Sequence, residues 1–184
     1  MLTKILSCAV VGIDGEAINI EADVSKGHPV FIVVGLADKA VDESRQRIPT
    51  AIRNSGFEYP YSKKIIVNLA PADLKKEGAA FDLPIAVGIL ISSGQVQANL
   101  DNSIFIGELA LDGTLRPTRG ILPVAIWARE KEYKRIFVPA INAKEAAIVT
   151  GVDVIPIDSL QEIALHLNNQ KIIKPFKITE ELKD

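Results

Sequence analysis

The fold of this chain is decided by the stretch Lys63-Lys64-Ile65-Ile66-Val67-Asn68-Leu69, which leads through a loop at residues 71–78 into residues 79–92. The quoted run is rich in β-branched residues and has the length of a strand. Residues 79–92 are apolar nearly all round, which predicts a helix buried on every side. A strand, a loop and a buried helix in this order indicate a mixed α/β domain with a central helix.

Three strands and a helix are predicted before this stretch. Residues 6–13 and 17–24 are β-rich and flank Asp14-Gly15, which predicts an antiparallel hairpin that turns at this dipeptide. Residues 30–34 form a continuous apolar run, which predicts a strand buried on both faces. A helix is predicted from Asp38, which can cap its start, to Gly56, which can end it.

The chain after residue 92 continues to alternate between strands and helices, as an open sheet requires. Strands are predicted at residues 104–106 and 114–116 around Asp112-Gly113, and at 135–139 and 152–157; helices are predicted at 121–131, 143–149 and 158–167. We therefore predict one domain over residues 1–167. Residues 168–184 are polar with little periodicity, which indicates a peripheral tail or a linker.

Composition narrows the class of protein. The 184 residues are 48% hydrophobic with a formal net charge of -2, which predicts a globular core and no strong non-specific attraction to nucleic acid. The longest apolar runs, such as residues 83–91, fall well short of the roughly 20 residues that cross a bilayer, so no membrane partner is expected. Cys8 is the single cysteine, which predicts a buried thiol in a cytoplasmic protein.

Several motifs together resemble those of a known family. They include Val67-Asn68-Leu69-Ala70-Pro71-Ala72-Asp73-Leu74, Phe81-Asp82-Leu83-Pro84, Gly107-Glu108-Leu109-Ala110-Leu111-Asp112-Gly113, Gly120-Ile121-Leu122-Pro123 and Asn142-Ala143-Lys144-Glu145-Ala146. Val34-Gly35-Leu36 and Glu43-Ser44-Arg45 extend the agreement over most of the chain. This set resembles the N-terminal domain of the Mg-chelatase-like AAA+ ATPases, the family typified by competence protein ComM (YifB).

The resemblance implies a fold and a setting. The family's N-terminal domain has the Lon protease-like variant of the ribosomal protein S5 domain 2-like fold, an α/β (α+β) arrangement in which helices pack on a mixed sheet. Family members continue into an AAA+ ATPase domain and are similar to hexameric helicases that promote branch migration in DNA recombination during competence. The expected partners are therefore that ATPase domain, further copies in a hexamer, and DNA.

The same resemblance places the cofactors outside this chain. ATP and Mg²⁺ are expected only on the absent AAA+ domain, and no cofactor is expected here. A phosphate-gripping loop needs the order Gly-x-x-x-x-Gly-Lys-Ser/Thr, and the sequence contains no such stretch. We therefore expect negligible ATP hydrolysis by this chain.

Lon-type proteases use a catalytic Ser-Lys dyad, and the resemblance identifies the two matching positions in this chain. Lys76-Glu77-Gly78-Ala79-Ala80 matches the serine loop of those proteases, with Ala80 at the position of the nucleophile. Gly120-Ile121-Leu122-Pro123-Val124 matches the later turn, with Val124 at the position of the lysine. Neither a methyl nor an isopropyl group can attack a carbonyl or accept a proton, so we predict that this chain is not an enzyme.

Two groups of basic residues are candidate contacts for DNA or a partner: Arg45, Arg47, Arg53, Lys63 and Lys64, and then Arg116 and Arg119. Arg45 and Arg53 are eight positions apart and share a helix face, whereas Arg47 points about 200° away from Arg45. No aromatic residue interleaves with the arginines, which argues against base stacking.

Charged residues also crowd the loop before the central helix: Asp73, Lys76, Glu77 and Asp82. We interpret them as a loop that caps its helix, and contact with the ATPase domain is the functional alternative. His28 and His166 have no Cys or His partner at metal-ligand spacing, so no metal site is predicted.

The leading hypothesis is a non-catalytic accessory domain that contributes DNA or partner interaction and ring assembly. Two alternatives stay open, a Lon-like serine hydrolase with a displaced active site and a purely structural oligomerisation module. Peptide or ester hydrolysis that is lost on mutation of one serine would favour the first. A ring that binds no nucleic acid would favour the second.

Overall fold

The computed structural model describes residues 1–179 of the chain. Its strands are β1 Leu2–Val11, β2 Asp14–Ser25, β3 Val30–Val34, β4 Lys64–Ala70, β5 Ser103–Phe105, β6 Glu108–Leu109, β7 Leu115–Arg116, β8 Arg135–Pro139 and β9 Asp153–Ile157. Its helices are α1 Lys39–Asp42, α2 Ser44–Asn54, α3 Asp82–Ser92, α4 Ile121–Glu130, α5 Ala143–Ala146 and α6 Leu160–Leu167, and a 3-10 turn at Ala140–Asn142 precedes α5.

Seven of these strands form one mixed sheet in the order β3-β4-β2-β1-β5-β8-β9. The pairs β1 with β2 and β2 with β4 are antiparallel, and the remaining neighbours are parallel. The central position of the β1–β2 hairpin explains the mixture, because parallel crossover units extend the sheet beyond it. The predicted mixed α/β architecture is confirmed.

The turn of the β1–β2 hairpin lies at Gly12-Ile13, two residues before the predicted Asp14-Gly15. Val11 pairs directly with Asp14, and Gly12 takes a left-handed φ of +66° that suits a tight turn. Gly15 serves a different purpose, since a Cβ at this position would come within 2.5 Å of the Trp127 side chain. The prediction was wrong because a glycine required for close packing resembles a turn glycine in sequence.

One face of the sheet is covered by α2, α3 and α6. Helix α3 is buried along its whole length, as its apolar pattern predicts, although it begins at Asp82 and not at residue 79. The predicted helix from Asp38 is divided into α1 and α2 near Glu43. The Asp38 cap is confirmed, because its Oδ1 accepts a hydrogen bond of 2.8 Å from the Val41 amide.

The opposite face is covered only over part of its width. Helices α4 and α5 pack on the side formed by β1, β5, β8 and β9, where an apolar cluster includes Cys8, Ile104, Val124 and Trp127. The predicted burial of Cys8 is confirmed, since 2% of this residue is exposed. This helical cover leaves the β3 and β4 end of the same face open.

Strand β3 therefore differs from its prediction. Val30, Ile32 and Val34 are 37%, 36% and 44% exposed, while Phe31 and Val33 pack against the core on the other face. The prediction of a strand buried on both faces was wrong because β3 lies at the edge of the sheet, away from α4 and α5. An apolar run does not reveal whether a helix covers its second face.

Two smaller predictions are refined. The predicted strands at 104–106 and 114–116 correspond to β5 and β7, and a short β6 between them pairs with β7. The predicted helix at 158–167 is capped by Ser159, whose Oγ accepts a 3.1 Å hydrogen bond from the Glu162 amide. Among residues 1–179, no helix is long and apolar enough to span a bilayer.

The segment after α6 packs along β9. The Phe176 amide donates a 2.7 Å hydrogen bond to the Val154 carbonyl, and the Ile173 amide donates to Nδ1 of His166 at 2.9 Å. Ile173 packs against the cluster on one face of the sheet and Phe176 against that on the other. The part of the predicted tail at residues 168–179 thus covers an edge of the sheet, and residues 180–184 lie outside the described residues.

Candidate functional site

The loop between β4 and α3 is held in place by the buried side chain of Lys76. Its Nζ donates hydrogen bonds to the carbonyl oxygens of Gly35, at 2.6 Å, and of Pro71. The Lys76 backbone also bonds to Leu36 and Asp38, which ties the loop to the segment after β3. Burial lowers the pKa of the Lys76 ammonium, because the loss of water outweighs the opposing attraction of the Asp73 carboxylate.

A second network joins α2 to the start of α3. The Arg47 guanidinium donates to both oxygens of Asp82, with Nε to Oδ2 at 2.8 Å and Nη2 to Oδ1 at 3.1 Å. The Ser44 hydroxyl donates to Oδ1 at 2.5 Å, and the Leu109 amide donates to Oδ2 at 3.2 Å. The bonds to Asp82 raise the pKa of Arg47 despite its partial burial. A buried carboxylate is thus fully satisfied by charged and neutral donors.

Three predicted contact residues are therefore engaged inside the molecule. Arg47 and Asp82 bind each other, and Lys76 and Asp82 are fully buried. The helical spacing that separates Arg47 from Arg45 and Arg53 has a structural cause, because Arg47 faces α3 and the other two face solvent. Sequence analysis missed the role of Ser44, although its position three residues before Arg47 places both on one helix face.

A groove of about 750 Å³ lies beside the predicted dyad positions. It is bordered by the end of β1, the loop before α3 and the turn before α4, including Cys8, Val10, Glu77, Ala80, Phe81 and Arg119. Ala80 packs against the apolar cluster that contains Val124, so the fold brings the two dyad positions into one cluster. Both are apolar there.

The groove also presents no reactive hydroxyl among the described residues that line it. Its thiol, Cys8, has a pKa raised to about 12 by burial, so it is a neutral and weak nucleophile near pH 7.

Basic residues gather around an exposed tyrosine near the N-terminal end of β4. Arg53 lies over the Tyr61 ring, with 5.8 Å between Cζ and the ring centroid, and Tyr61 is 57% exposed. Arg45, Tyr61 and Lys63 also line a common depression of about 400 Å³. We call Arg45, Arg53, Tyr61 and Lys63 the basic-tyrosine surface. No aromatic residue interleaves with the arginines in the sequence, but the fold brings the Tyr61 ring back beside Arg53 of α2.

The remaining predicted residues are dispersed. Lys64 alternates with buried Ile65 along β4 and so lies on the opposite face of the sheet from the core side chains. Nε of Arg116 lies 3.9 Å from Oε1 of Glu108, and Arg119 is exposed at the border of the groove. Asp73 is exposed near the buried Lys76, and the exposed Glu77 pairs with Lys75 at 3.4 Å. Arg45 and Lys63 line one depression, and Arg119 lines the groove.

The fold and the apolar dyad positions define a class, an α/β domain of the Lon protease-like type. The chain is 25% identical over 140 residues to Lon protease 2 of Bacillus subtilis, a match that covers 73% of this chain and 24% of that protein. Residues 20–142 match the family described as subunit ChlI of Mg-chelatase. The chain belongs to this Mg-chelatase-like family.

Individual members of the family are considerably more similar. Competence protein ComM of Haemophilus influenzae is 42% identical over 171 residues, which cover 92% of this chain and 33% of that protein. The uncharacterized protein YifB of Escherichia coli K12 is 41% identical over 173 residues, or 94% of this chain and 34% of that protein. The chain spans about a third of the length of these relatives.

Proposed function

We propose that this chain is a non-catalytic N-terminal accessory domain of a Mg-chelatase-like AAA+ ATPase and that it binds single-stranded DNA. In the proposed setting, the ATPase domain binds ATP and Mg²⁺ and forms a cytoplasmic hexamer that drives branch migration in recombination. The accessory domain would hold a DNA strand near that motor. The observation that carries the proposal is the exposed Tyr61 ring beside Arg53.

The absence of catalysis is supported by the groove. Ala80 and Val124 lie within one apolar cluster, and neither can act as a nucleophile or a base. The Cys8 thiol is uncharged at neutral pH because burial raises its pKa to about 12. We expect a fluorophosphonate probe to label no residue of this chain, and stoichiometric labelling of a serine would instead support the hydrolase alternative.

Binding to DNA is supported by the chemistry of the basic-tyrosine surface. Bases stack on exposed aromatic rings in proteins that bind single strands, and nearby cations neutralise phosphates. Arg53 and Lys63 supply positive charge around Tyr61, and Arg45, which pairs with Asp42 at 2.9 Å, adds a third cation on a chain whose formal net charge is -2. Attraction to DNA would therefore be confined to this surface, and single strands would be preferred over duplex because only their bases are free to stack.

Contact with the ATPase domain is proposed for the exposed part of the loop before α3. Asp73 and Glu77 face solvent, whereas Lys76 anchors the same loop from inside. A rigid loop with exposed carboxylates can dock against another domain with little loss of conformational entropy.

The DNA proposal is tested by fluorescence anisotropy with labelled single-stranded, duplex and forked DNA. Replacing Tyr61 with Ala should weaken single-strand affinity by roughly five-fold to more than a hundred-fold, which corresponds to about 1–3 kcal/mol of stacking per base. Tyr61→Phe keeps the ring and should retain binding. Equal affinity of Tyr61→Ala and the wild type, or no binding by the wild type at high micromolar concentration, would rule out this surface.

A further inference from the structure

The two edges of the seven-stranded sheet differ in their protection. The β9 edge is covered by the segment that contains Phe176, whose amide bonds to the Val154 carbonyl. The β3 edge has β4 as its one partner strand among residues 1–179. Edge strands of soluble proteins usually carry a charge, a proline or a bulge that prevents further pairing. Strand β3, with the sequence Val-Phe-Ile-Val-Val, contains none of these.

The backbone of β3 is arranged to accept another strand. The Val30 amide donates to the Lys63 carbonyl, so Val30, Ile32 and Val34 direct their backbone groups toward β4. Because these groups alternate in direction along a strand, the N–H and C=O of Phe31 and Val33 point away from the sheet. These two residues offer two donors and two acceptors at the edge.

The exposed side chains of β3 form an apolar surface. Val30, Ile32 and Val34 lie on the face that α4 and α5 leave uncovered, and Leu36, which is 54% exposed, follows the strand. Ile66 of β4 lies beside Ile32 in register on the same face. A second strand at this edge would extend the apolar surface and remove these side chains from water.

We infer that β3 pairs antiparallel with β3 of a second copy of this chain, with Ile32 at the two-fold axis. This register places Phe31 opposite Val33 of the second copy, and so all four free backbone groups on each copy are used. Ile32 faces Ile32, and Val30 faces Val34, which are favourable pairs of β-branched residues. Each residue of β3 thus meets an apolar partner when the strand pairs with an antiparallel copy of itself, as a two-fold contact requires.

The apolar patch at β3 is small and is bordered by charges of both signs, with Lys26 exposed before the strand and Asp38 and Lys39 after it. The patch is smaller than a standard interface of about 800 Å² per partner, so we expect a dimer with a micromolar dissociation constant. Such a contact would join chains of different rings, because neighbours within a ring meet head to tail.

Sedimentation velocity of the purified chain over micromolar to millimolar concentration tests this pairing. We expect the wild type to dimerise and both Ile32→Glu and Ile32→Lys to weaken the dimer by about tenfold or more, because like charges meet at the axis. An equimolar mixture of these two variants should recover a dimer, since the charges are then opposite. Ile32→Thr, which keeps a β-branched side chain, is the matched control and should still dimerise.

The pairing is overturned if the wild type stays monomeric, if Ile32→Glu dimerises as well as the wild type, or if the mixture stays monomeric. Hydrogen exchange of the wild type gives a measurement without a variant. The Phe31 and Val33 amides should exchange more slowly at high protein concentration, and concentration-independent exchange would equally exclude the pairing. Val30 and Phe31 also line the depression beside Arg45 and Tyr61. Dimerisation is measured without DNA, and so its failure leaves the proposed binding of DNA untouched.

Discussion

Arg47 Nε lies 2.8 Å from Oδ2 of Asp82, although 35 positions separate the two residues in the chain. The contact joins the first turn of α2 to the first turn of α3, and the Leu109 amide joins β6 to the same carboxylate. The Asp82 side chain is fully buried, while the Arg47 side chain is 19% exposed. This relationship makes Arg47 a structural residue within a region of otherwise exposed arginines.

Replacing Asp82 with Asn should lower the free energy of unfolding by about 3–5 kcal/mol, because it removes the buried carboxylate that binds Arg47 and leaves only the exposed Glu43 carboxylate, at 3.7 Å. Urea denaturation followed by circular dichroism measures this loss. The exposed pair of Arg45 and Asp42, at 2.9 Å, is the matched control. Asp42→Asn should cost less than about 1 kcal/mol, and equal losses for the two variants would contradict the structural role of Asp82.

The Gly15→Ala substitution should destabilise the protein by about 1–3 kcal/mol, since the new methyl group would come within 2.5 Å of Trp127. The cost should be smaller in a Trp127→Ala background, because this change removes the Trp127 Cγ at 2.5 Å and leaves only Cβ, at 2.6 Å, in the way of the new methyl group. A double-mutant cycle of thermal or urea unfolding measures this coupling. Additive effects of the two substitutions would contradict the contact.

The Cys8 thiol should react very slowly with a disulfide reagent at pH 8 in the native state. Its pKa is raised to about 12 by burial, and the reactive thiolate is therefore scarce as well as shielded. The same protein in urea should react promptly, which serves as the control. Rapid labelling without denaturant would contradict the packing of β1 under α4.

Stability should decrease as the pH falls below about 6.5, and His166 should contribute to this decrease. Burial, assisted by nearby Arg135, lowers the pKa of His166, so the unfolded chain binds a proton more readily than the folded chain. Protonation of Nδ1 would also remove the acceptor for the Ile173 amide. Unfolding free energies at pH 7 and pH 5 should differ less in His166→Leu than in the wild type, and an unchanged pH dependence would contradict this role.

Structural features that depend on neighbouring residues were predictable from the sequence, and features that depend on distant residues were not. The burial of α3 and the Asp38 cap follow from neighbouring residues and were predictable. The exposure of β3 was not, because it depends on where α4, about 90 positions later, packs on the sheet. Nothing in the sequence distinguishes the turn glycine Gly12 from Gly15. Only the position of Trp127 shows that Gly15 is the glycine required for close packing.

The basic-tyrosine surface was predictable only in part, because it too combines neighbouring with distant residues. Helical spacing correctly separates Arg47 from Arg45 and Arg53. Tyr61 lies beyond the end of α2, and its contact with Arg53 arises only when the chain turns back toward β4. The Ala80 and Val124 positions were found through the family resemblance, and the structure places both in one apolar cluster.

The most direct test of the basic-tyrosine surface is the salt dependence of single-stranded DNA binding. The slope of log K against log salt concentration should fall in magnitude by about 1.4 in Arg45→Gln/Arg53→Gln, at about 0.7 per neutralised charge. Arg116→Gln/Arg119→Gln carries the same change in net charge and should keep the wild-type slope. Equal slopes for the wild type and Arg45→Gln/Arg53→Gln, or an equal reduction in both double variants, would contradict the proposed surface.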